Sequence, residues 1–123
     1  MNTTEIKNEK KVVVVVALAQ PSDVARTLHA YEYALDLNRN GIDSELVLDG
    51  EGVKIVDGKI SELIEPLYNE VIEKGILKVA CNFCANIFQV KEKLIKSNLI
   101  LSRGSGHVSI GNMIREGKEV LVV

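Results

Sequence analysis

A run of five consecutive valines, at residues 12–16, constrains the fold of this 123-residue chain more than any other segment. Valine is stiff at its branched β-carbon and packs well on a pleated surface, so the run predicts a β-strand over residues 11–19. Apolar and polar residues do not alternate along it, which indicates that both faces of the strand are buried. Strands of this kind belong to parallel sheets covered by helices, so the segment predicts an α/β fold.

Segments of strand length and helix length alternate along the rest of the chain. The first helix is predicted after Pro21, where apolar residues recur at helical spacing up to an expected left-handed cap at Gly41. The predicted strands are residues 11–19, 42–48, 77–81, 98–101 and 119–123. The predicted helices are residues 24–40, 61–74, 82–88, 90–96 and 108–116. This order predicts a three-layer α/β/α domain with a five-stranded parallel sheet.

Two segments depart from the simple pattern. Residues 51–59 have two glycines and alternating charge, and are predicted to be a loop with a small hairpin around Asp57 and Gly58. Pro66 falls inside the helix predicted after Ser61, so that helix is expected either to kink at Pro66 or to begin anew there.

The composition of the chain limits which domain organisation and which classes of binding partner are expected. Residues 1–10 are polar and aperiodic, which predicts a flexible tail ahead of a single domain over residues 11–123. A net charge of −2 without a basic stripe gives no electrostatic basis for binding nucleic acid. Scarce aromatic residues and the absence of tryptophan oppose a base-stacking surface. No segment is long enough to span a bilayer, so neither a nucleic-acid nor a membrane partner is predicted.

The two cysteines, Cys81 and Cys84, have the Cys-x-x-Cys spacing and no disulfide framework around them, which indicates a reducing compartment. Lys10 and Lys11 precede an apolar run, as in a secretory leader. However, the run is short, and cleavage after it would remove the best predicted strand. The expected location is therefore the cytoplasm.

Cys81 ends the third predicted strand and faces the start of a helix. Unpaired N–H groups at such a helix end favour a thiolate, and this placement can lower a cysteine pKa from about 8.5 to about 3.5–7.5. Cys84 should lie in the first helical turn and be partly covered by it. We therefore expect Cys81 to be the nucleophile, and to react with iodoacetamide faster than Cys84 near pH 7.

The turns that follow the first four strands should meet at the carboxyl edge of the sheet, where open α/β sheets place their sites. The candidate ligand-binding residues in these turns are Asp49, Arg103, Gly104, Ser105, Gly106 and His107. The glycine-rich segment either holds an anion with its N–H groups, helped by Arg103, or is a tight turn that needs positive φ. His107 is either a base or proton donor near a thiol, or a polar residue that opens a helix. Asp49 is either a ligand or part of an Asp-Gly turn.

Three segments, residues 12–41, 79–90 and 104–123, together resemble the DsrE/DsrF-like family of small α/β proteins of sulfur metabolism. The resemblance implies a homo-oligomer, a trimer or hexamer, in which a cysteine at the end of the third strand holds persulfide sulfur and passes it to a partner protein. That position is Cys81 here. Cys84 departs from the family's single-cysteine pattern, which leaves open either dithiol chemistry or an incidental second thiol.

Two other function classes compete with a sulfur carrier. A Cys-x-x-Cys dithiol oxidoreductase would use Cys81 as the attacking thiol and Cys84 as the resolving thiol. A catalytically silent subunit or binding module would use neither. No cofactor or metal is predicted, because a structural zinc needs four ligands and the chain offers one Cys-x-x-Cys pair plus two histidines distant in sequence. The strongly apolar segment 60–72 adds an independent indication of self-association.

Overall fold

The protein is described by a computed structural model over residues 11–103 and 106–123; the predicted tail at residues 1–10 lies outside the described residues. The strands are β1 (Val12–Ala17), β2 (Asp43–Leu48), β3 (Leu77–Ala80), β4 (Ile100–Leu101) and β5 (Glu119–Val122). The α-helices are α1 (Val24–Arg39), α2 (Glu65–Glu73), α3 (Asn82–Ile87), α4 (Lys91–Lys96) and α5 (Ile110–Arg115). A 3-10 helix spans Gly50–Val56.

The strands of the described chain form one sheet in the order β4-β3-β2-β1-β5. Every neighbouring pair is parallel, including the last strand β5 against β1, so the predicted five-stranded parallel sheet is confirmed. β1 lies inside the sheet, between the central strand β2 and the edge strand β5. Val14, Val15 and Val16 are at most 1% exposed, which confirms that both faces of this strand are covered.

The helices lie on both sides of the sheet. The connections from β1 to β4 step in one direction across it, and right-handed crossovers place α1 to α4 on one face. The connection through α5 returns past three strands to β5, which places α5 on the opposite face. On the first face, the Ser44 hydroxyl donates a hydrogen bond to the Ala34 carbonyl of α1 at 2.8 Å. The predicted three-layer arrangement is confirmed.

On the α5 face, the strand register aligns one apolar row across the whole sheet. From β5 to β4 the row consists of Val122, Val16, Val47, Val79 and Ile100. A six-residue helix is about 9 Å long, whereas five strands span about 19 Å. Val16 and Val47 in the row are buried and Val79 is partly buried, but Val122 and Ile100 at its ends are 59% and 62% exposed. Within the described chain, α5 therefore covers the centre of this face and leaves both edges open.

Two local expectations are settled by the structure. The prediction of a loop with a small hairpin over residues 51–59 is wrong for most of that segment, because the 3-10 helix forms there and buries Val53 and Ile55.

The helix predicted after Ser61 starts at Glu65, with Pro66 in its first turn. A proline fits there because the N–H it lacks would have no partner inside the helix. The helix therefore begins near Pro66 rather than kinking.

Within the part of the chain that the structure describes, no helix has the length and apolar character needed to cross a bilayer.

Candidate functional site

The carboxyl ends of β2, β3 and β4 bring three distant parts of the sequence to one edge of the sheet. Asp49 follows β2, Cys81 follows β3, and the segment after β4 leads to His107. The Sγ atoms of Cys81 and Cys84 and a ring nitrogen of His107 all lie within 4.8 Å of one another. The predicted convergence of polar and thiol groups at this edge is therefore found for these residues.

The backbone of Cys81 is fixed by the sheet and by α3. Its N–H donates to the Leu48 carbonyl at 2.8 Å, which continues the pairing of β2 and β3 beyond the last strand residue. Its carbonyl accepts a hydrogen bond from the Ala85 N–H at 2.9 Å, so Cys81 is the N-cap residue of α3. The predicted strand-to-helix placement of this cysteine is confirmed.

Cys84 lies in the first turn of α3, where the sequence placed it, and its thiol points toward the end of β2. Its Sγ lies 3.6 Å from Asp49 Oδ1 and donates a hydrogen bond to that carboxylate. Burial raises the pKa of the Cys84 thiol to about 12, with further increases from the hydrogen bond and charge of Cys81 and from the charge of Asp49, while the Gly50 N–H acts in the opposite direction. Cys84 is therefore a neutral thiol at pH 7.

The exposure of the two cysteines differs from the expectation. Cys81 is 0% exposed and Cys84 is 9% exposed, so the expected greater access to Cys81 is wrong. The reason is that Cys81 is covered both by the sheet edge and by α3, whereas the side chain of Cys84 reaches the edge of the 3-10 helix. The order in which the two thiols react remains a prediction, because reactivity depends on the thiolate fraction as well as on access.

Asp49 forms the Asp-Gly turn that the sequence left open, and its carboxylate also contacts the thiol site. Its carboxylate accepts a hydrogen bond from the Gly50 N–H at 2.8 Å and caps the 3-10 helix. Its own N–H donates to the Ala17 carbonyl of β1 at 3.0 Å. These bonds hold the carboxylate beside Cys84, so the Asp-Gly turn and the contact with the site are one arrangement.

His107 is an exposed residue whose ring lies against Phe83 of α3. The two ring centroids are 4.1 Å apart, with an angle of 42° between the ring planes. The next residue, Val108, is 9% exposed and anchors the segment in the core. His107 does not open the helix, because Ser109 is the N-cap of α5 and accepts a hydrogen bond from the Asn112 N–H. The sequence left two alternatives for His107, a group near a thiol or a residue that opens a helix. The structure favours the first, because the His107 ring lies beside the thiols.

The remaining candidate residues are only partly described. Arg103 is exposed, and Gly104 and Ser105 lie outside the described residues. α5 begins four residues after Gly106, so the glycine-rich segment does not form the N-terminus of that helix. Whether the N–H groups of this segment hold an anion with the help of Arg103 stays a prediction, because two of its residues are outside the described part of the chain.

Ser102 is a site residue that sequence reasoning missed. Its N–H donates to the Ala80 carbonyl at 2.9 Å, and its hydroxyl accepts a hydrogen bond from the Asn82 N–H at 2.9 Å. The same hydroxyl donates to the Gly106 carbonyl at 3.0 Å. Ser102 therefore joins the start of α3 to the segment that bears His107. The sequence did contain a signal for Ser102. It is a small polar residue directly after β4, the strand that pairs with the cysteine strand β3.

A groove of about 560 Å³ lies on the α5 face and does not include the thiols. Its walls come from α5, the middle strands, and the end of α2. Lys74, Lys78 and Lys118 line it together with Asp43 and Glu45. Because its charges are mixed, the groove favours no ligand of one sign.

Comparisons with known proteins support the fold and leave the function open. No family model and no curated protein match the chain. A solved structure of a conserved protein of unknown function from Bacteroides thetaiotaomicron is similar, with a TM-score of 0.70 and 19% sequence identity. The similarity covers 92% of this chain and 95% of that one. At this identity the comparison shows a shared α/β fold.

Proposed function

We propose that the protein is a sulfur carrier in which Cys81 holds persulfide sulfur, as the resemblance to DsrE/DsrF-like proteins implies. The observation that best supports the proposal is the placement of the Cys81 and Cys84 sulfurs and a His107 nitrogen within 4.8 Å at the carboxyl edge of the sheet. A thiol, a second thiol and an imidazole at one point are the groups that thiol-based transfer uses.

The difference between the two thiols supports Cys81 as the carrier. The raised pKa of Cys84 keeps that thiol protonated at neutral pH, so it is a poor nucleophile and a better proton donor. Cys81 is the other sulfur at the site, and His107 is the nearby group that accepts its proton. Cys81 is therefore the attacking atom in the proposed reaction.

The loading step balances without an external oxidant. The Cys81 thiolate attacks the outer sulfur of a donor persulfide, R–S–SH, and a new sulfur–sulfur bond forms at Cys81. The bond inside the donor breaks, and the donor leaves as the thiolate R–S⁻. Unloading is the reverse reaction with an acceptor protein's thiolate. Alternatively, a deprotonated Cys84 attacks the Cys81 sulfur, which forms the Cys81–Cys84 disulfide and releases HS⁻.

A dithiol oxidoreductase is the second candidate, and the short distance between the two sulfurs favours it. Two thiols within 4.8 Å in a Cys-x-x-Cys turn are close to forming a disulfide. In this function Cys81 attacks a substrate disulfide and Cys84 resolves the mixed disulfide. Either function requires reduced thiols, so we place the protein in the cytoplasm.

Mass spectrometry of the intact, reduced and metal-free protein distinguishes these functions. We expect exposure to inorganic polysulfide, a small sulfane-sulfur donor suited to a buried thiol, to add one or more sulfur atoms that a reductant removes. A loss of two hydrogens under mild oxidant, without sulfur gain from the donor, would instead favour the oxidoreductase. The doubly substituted Cys81→Ser/Cys84→Ser protein is the control and should change under neither treatment. An unchanged wild-type mass under both treatments would contradict both functions.

We also propose that the protein is a homo-oligomer, a trimer or hexamer, as the same resemblance implies. The support is the α5 face, where a short helix leaves Ile100 and Val122 exposed at the two edges of the apolar row. Ile114 on α5 itself is 56% exposed. Exposed apolar residues grouped on one face are typical of surfaces that another subunit covers.

Light scattering at micromolar concentration should give a mass that is a multiple of 13.5 kDa, three or six chains. Ile114→Glu is expected to lower that mass toward one chain, because a charge would be buried in the interface. Ile95→Glu is the matched control, since Ile95 is 53% exposed on α4, across the sheet from α5. A wild-type protein that scatters as a monomer would refute this assembly.

A further inference from the structure

We infer that Cys81, Cys84 and His107 form a binding site for Zn²⁺. The inference starts from the same cluster of ligand atoms but does not depend on sulfur transfer. Two thiols and one imidazole are the donor types that zinc takes most often in proteins. In this fold they come from two segments, the β3–α3 turn and the segment after β4, which β3–β4 pairing brings together.

The three ligand atoms fit around a tetrahedral ion if they move slightly closer together. Zinc–sulfur bonds of about 2.3 Å and zinc–nitrogen bonds of about 2.0–2.1 Å place the ligand atoms about 3.5–3.8 Å apart. The three atoms here lie within 4.8 Å of one another, so each pair must approach by at most about 1.3 Å. His107 is exposed and both cysteine side chains rotate about χ1, so side-chain adjustment supplies this movement.

Asp49 contacts the site through Cys84. Its Oδ1 is 3.6 Å from Cys84 Sγ. The carboxylate is held by the Gly50 N–H, which fixes its orientation toward Cys84. Cys81, Cys84 and His107 are three protein ligands, so they leave the fourth tetrahedral position for water or substrate, as in catalytic zinc sites.

Two residues outside the ligand cluster, Ser102 and Phe83, hold the segments that carry the ligands. Ser102 holds the start of α3 to the Gly106 carbonyl, one residue before His107. Phe83 of α3 packs against the His107 ring. Residues that orient ligands typically change metal affinity about 10–100-fold when they are replaced. The segment carrying His107 is therefore oriented before a metal binds.

Binding of Zn²⁺ changes the charge of the two buried sulfurs. Zn²⁺ replaces the protons of Cys81 and Cys84, so up to two protons leave for each ion bound. The two thiolates then neutralise the charge of the ion inside the site. An ion held in this way would block the attack of Cys81 on a sulfur donor, so the metal-bound and sulfur-carrying states exclude each other.

The test uses the full-length protein, reduced and freed of metal with a chelator. Titration with Zn²⁺ against a competing chromophoric chelator should give one ion per chain, together with proton release and protection of both thiols from alkylation. Titration with Co²⁺ as a spectroscopic probe should give thiolate-to-metal charge transfer and the intense visible bands of a tetrahedral site. Because no sulfur donor is present, a failure here is independent of the sulfur-loading result.

Three variants identify the ligands. Cys84→Ser and His107→Gln should each bind Zn²⁺ at least about tenfold more weakly than the wild type. His29→Gln should bind as the wild type does, because His29 is the other histidine and stacks on Tyr33 of α1. His107→Cys should restore tight binding with stronger thiolate charge transfer, which shows that a misfolded site is not the cause. Wild-type affinity in His107→Gln, or binding by the wild type no tighter than by Cys84→Ser, would overturn the inference.

Discussion

Replacing Gly52 by alanine is expected to destabilise the folded protein by about 3 kcal/mol or more. A β-carbon at this position would lie 2.1 Å from the Ala17 carbonyl oxygen and 2.9 Å from the carbonyl carbon. Both atoms belong to the backbone at the end of β1, which cannot rotate away as a side chain could. The same oxygen accepts the Asp49 N–H, so a shift of this backbone also disturbs the residue beside Cys84.

Thermal and urea unfolding measure this effect. For a domain of this length, a loss of about 3 kcal/mol lowers the melting temperature by about 10 °C. Gly111→Ala is the matched control, since nothing lies within 4 Å of its β-carbon position and it is inside α5. It should be neutral or stabilising by about 0.5 kcal/mol, because alanine is the better helix former. Equal stability of the two variants would show that the 3-10 helix does not pack on β1 this closely.

The second large effect concerns sulfur loading, which Cys81→Ser is expected to abolish. A serine hydroxyl neither attacks a sulfane sulfur at neutral pH nor holds the transferred atom. Cys84→Ser should still load sulfur, because the Cys84 thiol that it removes is protonated at pH 7 and is not the proposed nucleophile. It should release that sulfur differently, since the route through the Cys81–Cys84 disulfide is lost.

Peptide mapping after exposure to polysulfide measures the location of the added sulfur in each variant. Cys81 is fully buried and Cys84 is 9% exposed, so access favours Cys84, whereas the raised pKa of the Cys84 thiol disfavours it as a nucleophile. If Cys84 in the Cys81→Ser protein takes up sulfur at the wild-type rate, access rather than thiolate formation decides which thiol reacts. The persulfide would then belong to Cys84, and the role that the family resemblance implies for Cys81 would be wrong.

The sequence determined the architecture because the signals for it are local. Residues 12–16 are apolar on both faces of a strand, which only a covered parallel strand accommodates, and the order of the elements then leaves one sheet topology class. The placement of Cys81 at the carboxyl edge followed from the same reasoning, since a residue that ends a strand lies at that edge. The 3-10 helix was missed, because its glycines and alternating charges are typical of a loop.

The distances and burial within the site were decided by tertiary contacts that no local pattern encodes. His107 lies 23 positions beyond Cys84, and it reaches the thiols because β4 pairs with β3 and Ser102 ties the following segment to α3. The burial of Cys81 and the raised pKa of Cys84 likewise depend on packing between β2, α3 and the 3-10 helix. Distances and desolvation between segments far apart in sequence are set by how the elements pack, so the sequence predicted which groups meet at this edge and only the folded chain determined their distances and burial.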